Sequence, residues 1–246
     1  IDVSLVGSEM CIRDRNMNNI INNFIHGDAF DVFKQMPDQS VNLTFTSLPD
    51  ISQTPYGKDV KKYQVLQNQA CDEMARTTKD DGFVVISQTD RKINGEILPN
   101  HITYYNAMLR NGYVLKDYKI MVRNYPVDKR DMYYFNYQHC LVFTKKGTIK
   151  RSGDWLKNIL VYDTKRLGNV KGPFNLYVWN DNFIKLVIEY LSKEQDIVSD
   201  PFAGSGVVPW IAKEMRRQYI GVELDKEVYD KSYFKRLDLL DRFGKV

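Results

Sequence analysis

Cysteine, histidine and long apolar runs are all scarce in this chain, and each scarcity removes a class of protein. Three cysteines occur in 246 residues, Cys11, Cys71 and Cys140, and their spacing suggests neither a metal site nor a disulfide framework. That usage fits an intracellular chain, and a cytoplasmic location is expected. His26, His101 and His139 are scattered and no ligand cluster accompanies them, so no metal is expected. No apolar run approaches about 18 residues, which leaves no candidate membrane span. The Gly-x-Gly-x-x-Gly fingerprint of dinucleotide-binding oxidoreductases is also missing.

What is present is enough for one sizeable α/β core, since 43% of the residues are hydrophobic. The net charge is only +4, but it is unevenly placed. Between Arg110 and Lys171 fourteen basic residues face five acidic ones, so the rest of the chain is net acidic. Tyr125, Tyr133, Tyr134, Phe135 and Tyr137 are interleaved with these charges, a combination suited to phosphates and unstacked bases. A solvated basic face with no ligand is the plainer reading of such a run.

The most informative stretch is Asp200-Pro201-Phe202-Ala203-Gly204-Ser205-Gly206, followed by Tyr219-Ile220-Gly221-Val222-Glu223. Ile197 and Val198 precede it as a short buried strand. The glycines permit a tight turn and close approach of a ligand. A helix is predicted from about Val207 to Arg216, and a second strand ends at Glu223, about twenty residues beyond the first glycine. At that point a carboxylate can accept the hydroxyls of a ribose.

This segment resembles the cofactor motif of the DNA amino-methyltransferases, Asp-Pro-Phe-x-Gly-Ser-Gly-Thr-Thr followed by Tyr-Ile-Gly-x-Glu. The resemblance implies S-adenosylmethionine as cofactor, held by Asp28, Asp200, Phe202, Ala203, Gly204, Ser205, Gly206 and Glu223. It also implies a class I methyltransferase-like α/β fold: a mostly parallel, seven-stranded sheet with helices on both faces and an antiparallel edge strand. Because only twenty-three residues follow Glu223, and they read as one charged helix from Lys226 to about Arg242, the other strands must lie upstream. The order is then circularly permuted, as in one subgroup of the family, with the catalytic half first.

Along the chain, Asn23 to His26 reads as a strand closed by Gly27-Asp28, and the resemblance puts Asp28 near the cofactor's adenine. Val41 to Thr46 alternates as a central strand and ends at Ser47-Leu48-Pro49-Asp50. Helices are predicted over Tyr63 to Thr78, Asn100 to Asn111 and Asp181 to Leu191, with strands over Gly82 to Ser87, Tyr113 to Arg123 and Gln138 to Thr144. Leu141-Val142-Phe143-Thr144-Lys145 is similar to the end of the family's last strand. Residues 17–144 are thus the catalytic half, 145–178 a small target-recognition insert and 179–246 the cofactor half. Leu5 to Arg15 resembles a translated sequencing-library adapter and lacks the apolar core of a signal peptide. Residues 1–16 are expected to be an artefactual tail, with the natural protein starting at Met17 or further upstream.

In the family the tetrapeptide is Asn, Asp or Ser, then Pro-Pro, then an aromatic residue. An exocyclic amine is a poor nucleophile because its lone pair is delocalised into the ring, and the first side chain and the next carbonyl accept its hydrogens. The aromatic residue stacks on a base flipped from the duplex. Here Ser47, Leu48, Pro49 and Asp50 fill these places. Leu48 retains a carbonyl, but Asp50 cannot stack, and Tyr56 is the candidate replacement ring. On its own, Pro49-Asp50 is ordinary turn chemistry.

The expected activity is methyl transfer to adenine N6 or cytosine N4 of DNA, with Arg123, Lys129, Arg130, Lys150 and Arg151 against phosphates. The insert is small for reading a long site unaided, so either a short target sequence or help from a homodimer is expected. Two alternatives stay open: an inactive relative that serves as a DNA-binding or regulatory protein, and a methyltransferase acting on RNA or a modified base.

Overall fold

Alternating apolar side chains in two adjacent strands divide the molecule into layers. The computed structural model describes residues 17–123, 137–149, 152–162, 179–235 and 237–238; residues 1–16, with the adapter-like stretch, lie outside them. In chain order the elements begin with β1 (Asn23–His26), α1 (Ala29–Phe33), β2 (Val41–Thr46), α2 (Val60–Thr77) and β3 (Thr78–Gln88). A hairpin of β4 (Arg91–Ile93) and β5 (Glu96–Leu98) leads to α3 (Asn100–Arg110), β6 (Val114–Arg123), β7 (Tyr137–Thr144) and β8 (Ile159–Tyr162). The last part holds α4 (Asp181–Leu191), β9 (Ile197–Asp200), α5 (Val207–Glu214), β10 (Gln218–Glu223) and α6 (Lys226–Asp230).

Leu43 and Phe45 of β2, with Phe83 and Val85 of β3, join the core beneath α4 and α5. Val41, Val84 and Ile86 turn the other way, toward α1, α2 and α3. Burial of both faces is what the near-continuous apolar run Phe83 to Ile86 requires. Gly82 has its own reason: a Cβ there would lie 2.5 Å from the Asn42 carbonyl of the neighbouring strand.

The large sheet has the order β1-β10-β9-β2-β3-β7-β6-β8. It is mostly parallel, and β7 alone runs antiparallel to its neighbours β3 and β6. Two expectations are corrected here. The described sheet has eight strands rather than seven, and its antiparallel strand is internal rather than at the edge, because β8 pairs with β6 in parallel. The buried Lys119 of β6 draws that segment in, donating to the carbonyls of Trp155 at 2.6 Å and Lys157 at 3.1 Å.

The order is permuted: β1, early in the chain, pairs with β10, late in it, and β9 lies beside β2. From β9 the sheet grows outward through β10, and from β2 it grows the other way through β3. Between β9 and β2 the winding reverses, and in open α/β sheets the crevice for ligands opens at the C-terminal ends of such a pair.

The single terminal helix expected from Lys226 is broken after Asp230. Ser232 is fully buried, its hydroxyl accepts the Lys235 N–H at 3.2 Å, and Phe234 turns inward against Phe24, Trp210 and Tyr219. A continuous helix would leave that aromatic contact unmade.

Candidate active site at the reversal of the sheet

The turn after β9 is built around two backbone conformations that favour glycine. Gly204 has φ +52° and Gly206 φ +72°. A Cβ on Gly204 would meet open space, whereas one on Gly206 would come within 2.6 Å of Phe234 Cβ and 3.2 Å of Phe24 Cζ. The first glycine thus leaves room beside the turn, and the second lets the turn rest on the aromatic cluster. Ser205 is buried, and its carbonyl accepts the Phe234 N–H. Ala203 ties the turn to β10 by donating to the Val222 carbonyl at 2.8 Å. Phe202 is half-buried against the α1 side of the core.

Two carboxylates flank this turn. Asp200 is buried, and its Oδ1 accepts from Thr46 Oγ1 at 2.6 Å and from the Phe202 N–H at 3.2 Å. Burial raises its pKa to about 7; the two hydrogen bonds oppose that shift and the charge of Glu223 adds to it. Glu223 accepts the Gly204 N–H at 2.9 Å through Oε2 and the Asp225 N–H at 2.7 Å through Oε1. Its pKa is also raised by burial, against the backbone N–H groups that favour the anion. Each oxygen keeps a second lone pair for a hydroxyl. Asp28 belongs to the same edge: Gly27 donates to the Glu223 carbonyl at 2.9 Å, and the exposed Asp28 side chain caps α1 by accepting the Phe30 N–H at 2.8 Å.

One strand over, Ser47 to Asp50 leave the end of β2. Ser47 donates its hydroxyl to Gln88 Oε1, at the end of β3, at 2.7 Å. Leu48 is buried in the core against the α1 to α3 layer, and the Pro49 carbonyl accepts from the buried Tyr63 hydroxyl at 2.9 Å. Burial pushes the Tyr63 pKa to about 12, so this donor keeps its proton. Asp50 caps the short helical turn Ile51–Gln53: its Oδ1 accepts the Ser52 N–H at 2.9 Å and the Ser52 hydroxyl at 2.6 Å, and Gln53 Oε1 accepts the Asp50 N–H. Its other oxygen pairs with Arg91 Nε at 3.1 Å. The residue standing where the motif has an aromatic ring is therefore engaged as a cap and an ion-pair partner. Tyr56 is half-buried against the cluster of Ile51, Tyr63 and Leu98.

The basic candidates are less fully placed. Lys129, Arg130, Lys150 and Arg151 lie outside the described residues, and of Arg123 only the backbone, at the end of β6, is described.

The expectation that the histidines do not gather is corrected for two of the three. His101 Nδ1 lies 2.7 Å from Asp90 Oδ1, His139 Nε2 lies 3.2 Å from Asp90 Oδ2, and the two imidazoles stack with centroids 4.1 Å apart. Tyr118 brings its hydroxyl to 2.5 Å from His139 Nδ1. Burial would raise the Asp90 pKa, but hydrogen bonds from His139 and His101 leave it below the ordinary carboxylate range. No local spacing announces this group, because its members come from the loop after β3, the first turn of α3 and β7. His26 stands apart, near the Leu224 carbonyl. The β4–β5 hairpin that supplies Arg91 was also unforeseen, although Asn94-Gly95 is a hairpin signal and both residues take positive φ.

Comparison with known proteins gives this geometry its relatives. The model of a DNA methylase family, N6_N4_Mtase, matches residues 41–234. The type II methyltransferase M.BglII of Bacillus subtilis is 22% identical over 87% of this chain and 68% of its own length. The type II methyltransferase M.MwoI of Methanothermobacter wolfeii is 27% identical over 88% of this chain but only 34% of its own. A solved structure of a putative DNA modification methylase from Thermus thermophilus, complexed with S-adenosyl-L-methionine, has a TM-score of 0.67 at 17% identity, covering 90% of this chain and 95% of that one.

Proposed function

We propose, from the premise that this chain belongs to the DNA methylase family, that it transfers a methyl group from S-adenosylmethionine to an exocyclic amine of a DNA base, adenine N6 or cytosine N4. The observation that carries this reading is the bond from Thr46 to Asp200. It joins the ends of two adjacent parallel strands, so the glycine turn and Ser47 open onto one crevice.

The residues present fit the cofactor. Asp200 is a buried carboxylate whose donors are a neutral hydroxyl and a backbone N–H, and among the described residues it has no ion pair. A ligand carrying positive charge relieves that state. Space beside Gly204 admits the ligand, Glu223 has lone pairs for ribose hydroxyls, and Asp28 is exposed at the same edge. Phe202, Ala203, Ser205 and Gly206 complete the turn. When bound, the cofactor supplies an electrophilic sulfonium methyl.

The chain's own residues handle the amine. Ser47 donates its hydroxyl hydrogen bond to Gln88 Oε1, which leaves the lone pairs of the serine oxygen as acceptors. That oxygen and the Leu48 carbonyl would accept hydrogen bonds from the two amine hydrogens and orient the nitrogen lone pair for attack, with the one proton the nitrogen loses on methylation passing to water, so positioning supplies the rate. Pro49, held through its carbonyl by Tyr63, keeps the turn stiff. Tyr56 serves as the ring on which the flipped base stacks. Residues 17–144 are the base-handling half, 179–246 the cofactor half, and 145–178 the segment that reads the target. Arg123, Lys129, Arg130, Lys150 and Arg151 neutralise phosphates.

Labelled-methyl transfer to DNA of mixed sequence, followed by nucleoside analysis, tests this and separates N6-methyladenine from N4-methylcytosine. Wild type is expected to transfer and Ser47→Ala to lose transfer while still binding cofactor. The engagement of Asp50 by Arg91 and Ser52 favours a second reading, an inactive relative that binds DNA. Cofactor binding without transfer to any nucleic acid selects that reading, and transfer to RNA alone moves the activity to another acceptor.

A further inference from the structure

We propose that Asp90, His101 and His139 form a site for a divalent transition metal of the zinc class, which ties the base of the β4–β5 hairpin to β7. One ligand atom from each residue can be chosen so that all lie within 4.8 Å of one another. Zinc binds imidazole nitrogen and carboxylate oxygen at about 2.0–2.2 Å, so the ligands of a tetrahedral site stand about 3.3 Å apart. Asp90 meets His101 Nδ1 through Oδ1 at 2.7 Å and His139 Nε2 through Oδ2 at 3.2 Å, so metal binding requires the two rings, now stacked at 24° to each other, to turn until their in-plane lone pairs converge on one point. Two imidazoles and one carboxylate suit zinc and its transition-metal neighbours rather than magnesium or calcium, which take oxygen ligands.

The surroundings supply the supporting partner such sites use. The Tyr118 hydroxyl engages His139 Nδ1, which fixes the ring with Nε2 turned toward Asp90. Asp90 and His139 are buried, while the His101 side chain is 29% exposed, so the ligands are rigid on one side and reachable on the other. The reachable side opens to a groove of about 220 Å³ lined by His101, Tyr105, Tyr118 and Leu115. A water from that side completes the coordination.

The metal's role follows from where the ligands sit in the chain. Asp90 immediately precedes β4 and His101 follows β5 in the first turn of α3, so the two span the hairpin, and His139 belongs to β7 opposite Gln88. An ion there clamps the hairpin foot to the sheet. Methyl transfer to an amine needs no metal, so the ion is structural.

The test uses the full chain, stripped with chelator and then titrated with zinc and with cobalt(II). One metal per chain is expected, with the visible absorption of tetrahedral cobalt and a higher melting temperature in zinc. His101→Ala, at the rim, should weaken zinc by more than about 100-fold and abolish the thermal shift, and Tyr118→Phe should weaken it by about 10- to 100-fold. His101→Cys, which keeps a zinc ligand without an imidazole, should retain one metal per chain. Substoichiometric metal in wild type, or equal binding by wild type and His101→Ala, would overturn the proposal and leave a hydrogen-bonded network alone. None of these readouts depends on methyl transfer.

Discussion

The hydroxyl of Thr46, the last residue of β2, donates a 2.6 Å hydrogen bond to Oδ1 of Asp200, the last residue of β9. It joins the end of β2, which leads to Ser47, to the end of β9, which leads to the glycine turn, and it acts on a carboxyl that burial has pushed to about 7. The folded pKa lies above the unfolded value near 3.8, so between those limits the native state holds a proton that the unfolded chain has lost. Stability from this group is therefore full below about pH 4 and falls as pH rises to about 7. Asp200→Asn should flatten the melting-temperature profile over that window. Cofactor affinity should run the other way, rising by up to about 10-fold per pH unit toward 7 as the carboxylate forms. Calorimetric titration of cofactor between about pH 5.5 and 8.5 reads both the slope in wild type and its absence in Asp200→Asn.

The Ser47 to Gln88 bond makes a second, separable prediction. Gln88 Oε1 accepts the Ser47 hydrogen bond, and removing that acceptor frees the hydroxyl to point its hydrogen at the amine. Gln88→Leu should lower kcat by about 10- to 100-fold, as expected for about 1–3 kcal/mol of lost hydrogen bonding, with cofactor Kd unchanged. Gln88→Glu retains an acceptor and should recover most of the rate. Ser47→Ala, which removes the acceptor proposed for the amine, should cost about 10²-fold or more in kcat. Single-turnover transfer assays separate these from effects on DNA binding.

How much of this was legible in the sequence depended on whether the determinant was local. The glycine turn could be read because positive φ at Gly204 and Gly206 restricts the residue type at each position. The helix over Asp181–Leu191 and the strands over Asn23–His26 and Val41–Thr46 show clear apolar patterning and lie where they were expected. Strand β8 was not legible, because a buried lysine on β6 and two carbonyls in another segment hold it in place. The group at Asp90 was hidden for the same reason: His139 reaches it through the register Gln88 to His139, and His101 through the packing of α3. That Asp50 pairs with Arg91 was hidden as well, because Arg91 comes from a hairpin whose strands of three residues are too short to show a period.

The two roles of Asp50, helix cap and partner of Arg91, can be told apart by two substitutions. Asn is as good an N-cap as Asp, so Asp50→Asn keeps the bond to the Ser52 N–H and loses only the ion pair, half of which is exposed; it should cost less than about 1 kcal/mol. Asp50→Ala loses cap and pair and should cost about 1–2 kcal/mol. Urea denaturation at neutral pH measures the difference. Equal costs would show that the cap contributes little.

The two glycines of the turn should respond differently to the same change. Gly204→Ala strains a positive φ by about 1–2 kcal/mol but meets no atom, since the space beside it is open. Its methyl occupies the room assigned to the cofactor, so stability should fall modestly while cofactor binding falls by about 100-fold or more, about 3 kcal/mol. Gly206→Ala carries the same strain and also drives a methyl to 2.6 Å from Phe234 Cβ. Relieving that contact displaces Phe234 from Phe24, Trp210 and Tyr219, so the loss of stability should exceed that of Gly204→Ala by at least about 1–3 kcal/mol. Melting curves with and without cofactor distinguish the pair: added cofactor should raise the melting temperature of Gly206→Ala, whose damage lies in the core, and leave Gly204→Ala unmoved.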